Sequence, residues 1–393
     1  MKVEGEILIE LNCQQERVQS VAIRSSRPLQ LTHLFEGKPV KELLGLVPML
    51  YSVCATAQAC AAVQACRQAM EIDENTQVEL AEMMLVTVET AREHLWRILI
   101  DWSKQVNVPV NRAMVAGLSN LLPQAKHACF KESDLFTLQP RPKVVQEKFS
   151  SVIEQIEKTA DDSIFSLSPT DWYAKSTIEE FDTWLEATST PASILLQRLR
   201  DTQSARLADA GCHPLPTIDP PTMCHRLAQQ DADGFIAAPD WKGAVFETTP
   251  LTRMASHPLL QQLAERYGFG LLTRMVARLL ELASLPGRLS SQLQALMENP
   301  TAPASASTRV GAQQGLGEVE AARGRLIHRA VVDKDVIASY QIVAPTEWNF
   351  HPRGVVARGL LSLPAKEIVA LKQHADLFIN AVDPCVGYRL EVV

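Results

Sequence analysis

No apolar run in this chain approaches the ~20 residues needed to span a bilayer. The opening residues, Met1-Lys2-Val3-Glu4-Gly5-Glu6, put two carboxylates where a secretory signal needs its apolar centre. Neither a membrane span nor a leader is expected, and the cytoplasm is the expected location. Lys and Arg form no dense basic tract, and the net charge is −7. A phosphate backbone is met by clustered cations, so nucleic acid is not an expected partner. The 8 cysteines lack the spacing of a disulfide framework; in a reducing compartment they are core residues, free thiols or metal ligands. There is no internal repeat. What is abundant is apolar surface: hydrophobic residues make up 46% of 393, enough for a sizeable core in one large domain or two smaller ones.

Residues 2–12 alternate Val3, Ile7, Ile9 and Leu11 with Glu4, Glu6 and Glu10, which predicts a strand; a second near Val18–Arg24 would complete a hairpin. Leu43 to Ala69 reads as a helix interrupted near Pro48. Its stretch from Ala55 is small on several faces and suits close packing inside a bundle. From Glu79 to Trp102, Leu80, Met83, Met84, Val88, Ala91, Leu95 and Leu99 recur at helical spacing. Further helices are expected at Val144–Ile156, Thr177–Gln203, Pro258–Tyr267, Leu271–Met297 and Pro364–Ala375, with β segments at Arg325–Val332 and Val336–Val343. The stretch His213 to Pro221 is proline-rich and is expected to be a non-helical loop. A small-residue linker is expected at about 300–313. The expected fold class is α+β, mainly α: a central helical bundle with small β elements from both termini.

Two cysteines near opposite ends sit in half-motifs. One is Tyr51-Ser52-Val53-Cys54, followed by Gln58; the other is Asp383-Pro384-Cys385-Val386-Gly387-Tyr388, followed by Glu391. Each reads as a Cys-x-x-Cys site that has lost one thiol and its trailing histidine. Cys54 reads equally as a core cysteine at the start of an alanine-rich helix. Cys60 and Cys66 follow it in steps of six residues, each turning by about 240°, so the three share no helix face and the latter two are expected in the core. Cys212-His213 and Cys224-His225 lack a zinc-site spacing.

Ordered motifs along the chain resemble nickel–iron hydrogenase large subunits, and most of all the shorter maturation scaffolds of the HupK/HoxV family. Val3-Glu4-Gly5-Glu6 is similar to an opening Glu-Gly-His strand. Met49, Tyr51, Ser52, Cys54 and Gln58 stand where the family has Arg, Cys, Gly, Cys and His. Glu247-Thr248-Thr249-Pro250-Leu251-Thr252-Arg253 resembles Glu-Thr-Gly-Pro-Leu-Ala-Arg. Arg323-Gly324-Arg325-Leu326-Ile327-His328 resembles Pro-Arg-Gly-x-Leu-x-His with Ala322 in place of the Pro, and Pro345-Thr346-Glu347-Trp348-Asn349 keeps Pro-Ser/Thr-x-Trp-Asn. The closing Asp-Pro-Cys is kept, but Tyr388 and Glu391 replace its second Cys and its His. The resemblance implies one domain over 1–393, with a poorly matched helical region at about 105–240.

It also implies chemistry. In the hydrogenases four thiolates hold nickel and an iron carrying two cyanides and one carbon monoxide, and residues matching Arg323 and Thr346 hydrogen-bond the cyanides. Here those residues remain and half the thiols are gone. Cys54 and Cys385 are the expected metal ligands, with Arg323, Thr346, Pro345 and Glu4 as cofactor-binding residues. Nickel is not expected, because it needs more soft donors, and a phenol with pKa ~10 is a poor substitute. The expectation is a non-catalytic assembly scaffold that transiently holds the Fe(CN)2CO unit. It would take the unit from upstream iron-cofactor maturation chaperones and deliver it to a hydrogenase large-subunit precursor. The end at Val393, without an extension, fits the absence of a nickel-dependent cut. Because Cys385 aligns with a nickel-terminal position, the tail must shift and is expected to be mobile. Alternatives are a divergent redox subunit of a hydrogenase-like or quinone-reducing complex, or a chaperone that touches only the precursor. Residue by residue, Arg323 could be a surface arginine, Thr346 a turn cap, Glu4 a structural acceptor and His328 a core histidine.

Overall fold

A computed structural model describes residues 5–73, 75–131, 135–202, 204–298 and 310–393. Glu4 and most of the expected linker lie outside the described residues. Among the described residues, six strands form two three-stranded sheets: β1 (Glu6–Gln14), β2 (Arg17–Ser25), β3 (Gln314–Ala321), β4 (Gly324–Asp333), β5 (Val336–Val343) and β6 (Gly387–Val392). The first sheet has the order β2-β1-β6. The β1–β2 hairpin turns at Gln15 and Glu16, both at positive φ, as a two-residue turn matching strand twist requires. β6 adds to the other edge of β1 in parallel, from Glu6↔Gly387 to Leu11↔Val392. The two ends of the chain are thus hydrogen-bonded side by side, and Ile7, Ile9 and Leu11 turn into the core between them.

Three helices position the first half-motif: α1 (Val40–Leu50), α2 (Ala55–Ala69) and α3 (Thr76–Trp96). Pro48 lies inside α1, and the break falls at Tyr51–Cys54, not at the proline. α3 starts on Asn75, whose side chain accepts from Gln77 N and Val78 N, and runs on into a π-helical turn at Arg97–Trp102. The long helix Leu271–Glu298 packs against α3, and its residues Arg274, Arg278 and Glu281 are buried.

α2 has no side-chain cap of its own. Its free N-terminal amides, Thr56 N and Ala57 N, donate to the two carboxylate oxygens of Glu89 on α3, each at 2.9 Å. A buried anion at the positive end of a helix satisfies donors that would otherwise be orphaned. The small faces of α2 take the second sheet: a Cβ on Gly315 would sit 1.9 Å from Ala65 O, and one on Gly317 2.0 Å from Ala61 O. Strand and helix backbones touch, which only glycine on one side and alanine on the other permit.

Much of the region 105–240 is helical: Phe149, Trp172, Trp184 and Leu196 join the same cluster as Leu279, while Leu215, Met223, Leu227 and Phe235 pack with Ile327, Val343 and Trp348 beside the second sheet. Several expectations need correction. The helix expected over Thr177–Gln203 is two, Ile178–Ala187 and Pro191–Asp201, because Thr190 caps the second and Pro191 opens it. Pro220 and Pro221 are not loop residues: they open the helix Pro220–Leu227, where a missing N–H costs nothing. The helix expected at Pro364–Ala375 is Ile368–Val382. β3 and β6 were not expected at all.

Gly317→Ala should lower stability by about 1–3 kcal/mol through forced separation of β3 from α2. The midpoint of a denaturant titration checks this, and an unchanged midpoint would mean that the contact is loose.

Candidate functional site

The second half-motif is set by a buried charge cluster. Helix Ile368–Val382 ends at Asp383, which adopts the left-handed conformation at φ 68°. Its carboxylate accepts from Arg278 Nη1 at 2.9 Å, from Arg323 Nη2 at 3.4 Å, and from Arg97 Nη2. Arg278 also donates to the helix-end carbonyls of Asn380 (3.3 Å) and Ala381 (3.2 Å). Burial alone would raise the Asp383 pKa; Arg323, Arg97 and Arg278 outweigh it and hold the carboxyl far below the usual range. The chain leaving this knot is Pro384-Cys385, and Cys385 is buried with its Sγ 2.9 Å from Thr346 Oγ1.

Cys54 approaches from the other end of the sequence, at the break before α2. Its Sγ receives the Gln58 amide at 3.6 Å. Gln58 Oε1 faces His328 Nε2 at 2.9 Å, and His328 Nδ1 faces the Tyr340 hydroxyl at 2.6 Å. An amide oxygen only accepts, so Nε2 carries the proton, Nδ1 accepts, and Tyr340 donates. Every hydrogen bond in this line points toward the sulfur of Cys54. Burial, with Arg27 nearby, lowers the His328 pKa to about 3, which keeps the ring neutral and the direction fixed. Burial, the Cys385 sulfur and Glu89 raise the Cys54 thiol well above its ordinary pKa, while Arg323 and Gln58 oppose them. The electrostatic environment of Cys54 thus includes Cys385 and Arg323.

Arg323 reaches this environment from a turn held by three motifs. Gly324 has φ 128°, and a Cβ there would fall 1.7 Å from Thr248 O. Asn349 donates to Arg323 O (3.0 Å) and accepts from Thr248 N (2.8 Å), and Arg325 N donates to Thr248 Oγ1 (2.9 Å). The Thr248, Arg323 and Thr346–Asn349 segments are thus stitched together through one asparagine. The guanidinium spends Nη2 on Glu93 (3.1 Å) and Asp383, while its Nε and Nη1 are buried with no partner among the described residues. A buried unpaired donor costs about 1–3 kcal/mol. Cys385 and Cys54 both act on this side chain electrostatically, so the unused donors lie in the neighbourhood of the thiols. An anionic or acceptor-bearing ligand bound between the sulfurs and Arg323 would satisfy them.

Of the residues expected at a site, Cys54, Cys385, Arg323 and Thr346 come together. Pro345 is buried at the first turn of the helix Pro345–Asn349 that carries Thr346. Arg323 is a buried residue, not a surface arginine, and Thr346 contacts a thiol. His328 is a core histidine, but one aimed at Cys54 through Gln58. Tyr388 turns away: it lies on β6, donates to Asp376 Oδ1 at 3.2 Å and accepts from Asn380. Glu391 pairs with Arg389. The expected mobile tail is a strand paired with β1 in six positions. Among the described residues, no three of the His, Cys, Asp and Glu side chains cluster so as to hold a metal ion. A metal bound at Cys54 and Cys385 would find two sulfur donors and would have to bring its other ligands. Sequence reasoning missed Arg27, Glu89, Glu93 and Tyr340, which carry no motif spacing and reach the site only through packing. No helix among the described residues is long and apolar enough to cross a membrane.

A sequence profile of nickel-dependent hydrogenases matches residues 198–386. The chain is 28% identical to the hydrogenase expression/formation protein HoxV of Cupriavidus necator, over 94% of this chain and 92% of that one. It is 26% identical to the hydrogenase expression/formation protein HupK of Azotobacter vinelandii, over 99% of both. Among solved structures it superposes on the Ni-Fe-Se hydrogenase of Desulfomicrobium baculatum with a TM-score of 0.66, covering 95% of each chain at 14% identity, a likeness of fold alone.

His328 gives a pH signature. Its folded pKa is depressed, so below ~6.5 the unfolded chain takes up a proton that the folded chain refuses. Its stabilising contribution is complete above ~6.5 and declines as pH falls toward 3. The limiting slope is about 1.4 kcal/mol per pH unit. His328→Gln should flatten this acid limb in urea titrations across pH 4–6.5; an unchanged limb would contradict a neutral buried ring.

Proposed function

Because the chain is a relative, over nearly its whole length, of the HoxV and HupK hydrogenase expression/formation proteins, we propose that it serves in the formation of a nickel–iron hydrogenase, as an assembly factor and not as a catalyst. Its cargo is the Fe(CN)2CO unit, taken from upstream iron-cofactor maturation chaperones and passed to a hydrogenase large-subunit precursor. Cys54 and Cys385 bind the iron as thiolates. The Nε–H and Nη1–H of Arg323 donate to cyanide nitrogen, and Thr346 orients the Cys385 sulfur.

The observation that carries this reading is the pairing of two thiols from opposite ends of the chain with a buried guanidinium that keeps two donors unused. Bare nickel finds only two soft donors here, a poor set for it. A three-diatomic iron fragment brings its own ligands and offers cyanide acceptors for a charge-assisted hydrogen bond. Two thiolates hold less firmly than four, which suits a carrier that must let go. Thr346, Arg323 and the line from Tyr340 are set by the fold before the cargo arrives, so little is left to order on binding. Glu4 stands outside the described residues and is given no part.

Infrared spectra of the chain, purified anaerobically from cells with active hydrogenase maturation, should carry cyanide and carbonyl bands. Cys54→Ser and Cys385→Ser should each remove them together with the iron. Unchanged iron content in both variants overturns the proposal. Arg323→Gln should keep some iron but shift the cyanide bands more than the carbonyl band, since only cyanide loses a donor. Equal shifts, or none, would remove Arg323 from that role.

A further inference from the structure

A second guanidinium, outside every motif, stands at the same pair of thiols. Arg27 follows β2, and its side chain is 10% exposed. Its Nη1 donates to Glu347 Oε1 at 2.9 Å, and its guanidinium lies 5.2 Å from the centre of the Tyr51 ring. Glu347 follows Thr346, whose hydroxyl touches Cys385; Tyr51 lies three residues before Cys54. Arg27 therefore meets both half-motifs at once, and the sulfurs of Cys385 and Cys54 both act on its charge. Its backbone is fixed from behind by Gly5, at φ +74°, where a Cβ would come within 2.6 Å of Arg27 Cα. A buried cation is costly without partners, and among the described residues its hydrogen-bonded carboxylate is single, with Glu347 Oε2 itself buried and unpartnered there.

We infer that Arg27 is the specificity-determining residue of this site: its fixed positive charge, held by Glu347 and Tyr51, bars bare divalent cations from the Cys54–Cys385 pair while admitting a metal fragment whose own anionic ligands cancel the metal's charge. The inference rests on the proposed function for the identity of that fragment, but the barrier itself is a property of the empty site. A divalent ion brings two positive charges into buried surroundings beside a guanidinium whose charge a single carboxylate offsets only in part, and the remaining repulsion opposes its entry. Iron(II) with two cyanides and a carbonyl is neutral overall, so the same guanidinium repels nothing and offers hydrogen bonds to cyanide nitrogen. One arginine thus disfavours zinc, which two free thiols would otherwise attract. It also accounts for Tyr51 at this place: an aromatic face holds a guanidinium, where a third thiol would add a soft donor.

The test uses the full-length chain, purified without metal under anaerobic conditions and titrated with zinc against a chromogenic chelator. Arg27→Gln should bind zinc at least tenfold more tightly than the wild type. Cobalt should give that variant a thiolate-to-metal absorption band. Arg27→Lys, which keeps the charge, should stay near the wild type. Adding Cys54→Ser to Arg27→Gln should abolish the gain. Glu347→Gln, which leaves the cation uncompensated, should weaken zinc binding further and reads out the same barrier should Arg27→Gln fold poorly. Equal zinc affinity in wild type, Arg27→Gln and Glu347→Gln overturns the inference, as does a gain that survives loss of Cys54. Failure here is separable from failure of the carrier reading. Missing infrared bands in the wild type would refute the iron cargo whatever zinc does, whereas intact bands with no zinc discrimination would refute the role of Arg27 alone.

Discussion

The ion cluster around Asp383 is the constraint on which the rest depends. One carboxylate, buried and in a left-handed backbone conformation, accepts from Arg97 on the continuation of α3, from Arg278 on the long central helix and from Arg323 before β4. Each arginine arrives on a separate element, so the three meet only when the bundle, the second sheet and the C-terminal helix are all in place. The strained residue at the centre is over-determined by its partners, as such strain must be to persist. Cys385 is two residues away, and its position is inherited from that knot. Breaking one partner of such a cluster leaves the others as uncompensated buried charges, which is far more costly than the pairing is stabilising.

From this follows the asymmetry of the site. Arg323 is held through Nη2 and through its backbone by Asn349, so Nε and Nη1 are aimed and unused. Cys54 is placed by the Glu89-capped start of α2 and receives the polarised line from Tyr340 through His328 and Gln58. On the proposed function the thiols would provide the soft donors, the arginines positive charge and hydrogen bonds, and the metal would bring its remaining ligands. Such a division of labour would suit a carrier of a pre-built fragment better than a site that assembles metal from free ions.

Much of this was legible in the sequence, for stateable reasons. Cys54, Arg323, Thr346 and Cys385 lie in motifs whose order and internal spacing survive, so their convergence could be expected from resemblance. Strand β1 advertises itself by alternation, and β4 and β5 by their β-like composition. β3 was hidden by Gly315 and Gly317, residues that strands normally avoid and that are required here because α2 leaves no room for a side chain. β6 was hidden because its role is set by a partner almost the whole chain away, and Tyr388 and Glu391 looked like replaced ligands when they are strand residues turned from the site. Arg27 and Glu89 have no local signature; only packing brings them to the thiols.

The most direct measurement of convergence is trapping with phenylarsine oxide, a reagent that bridges two neighbouring thiols, followed by digestion and mass spectrometry of the native chain. A single arsenic linking the Cys54 and Cys385 peptides, formed at one equivalent, is the result this account predicts. Bridging of other cysteine pairs alone, or no Cys54–Cys385 bridge when both thiols are shown to be reduced, would contradict it.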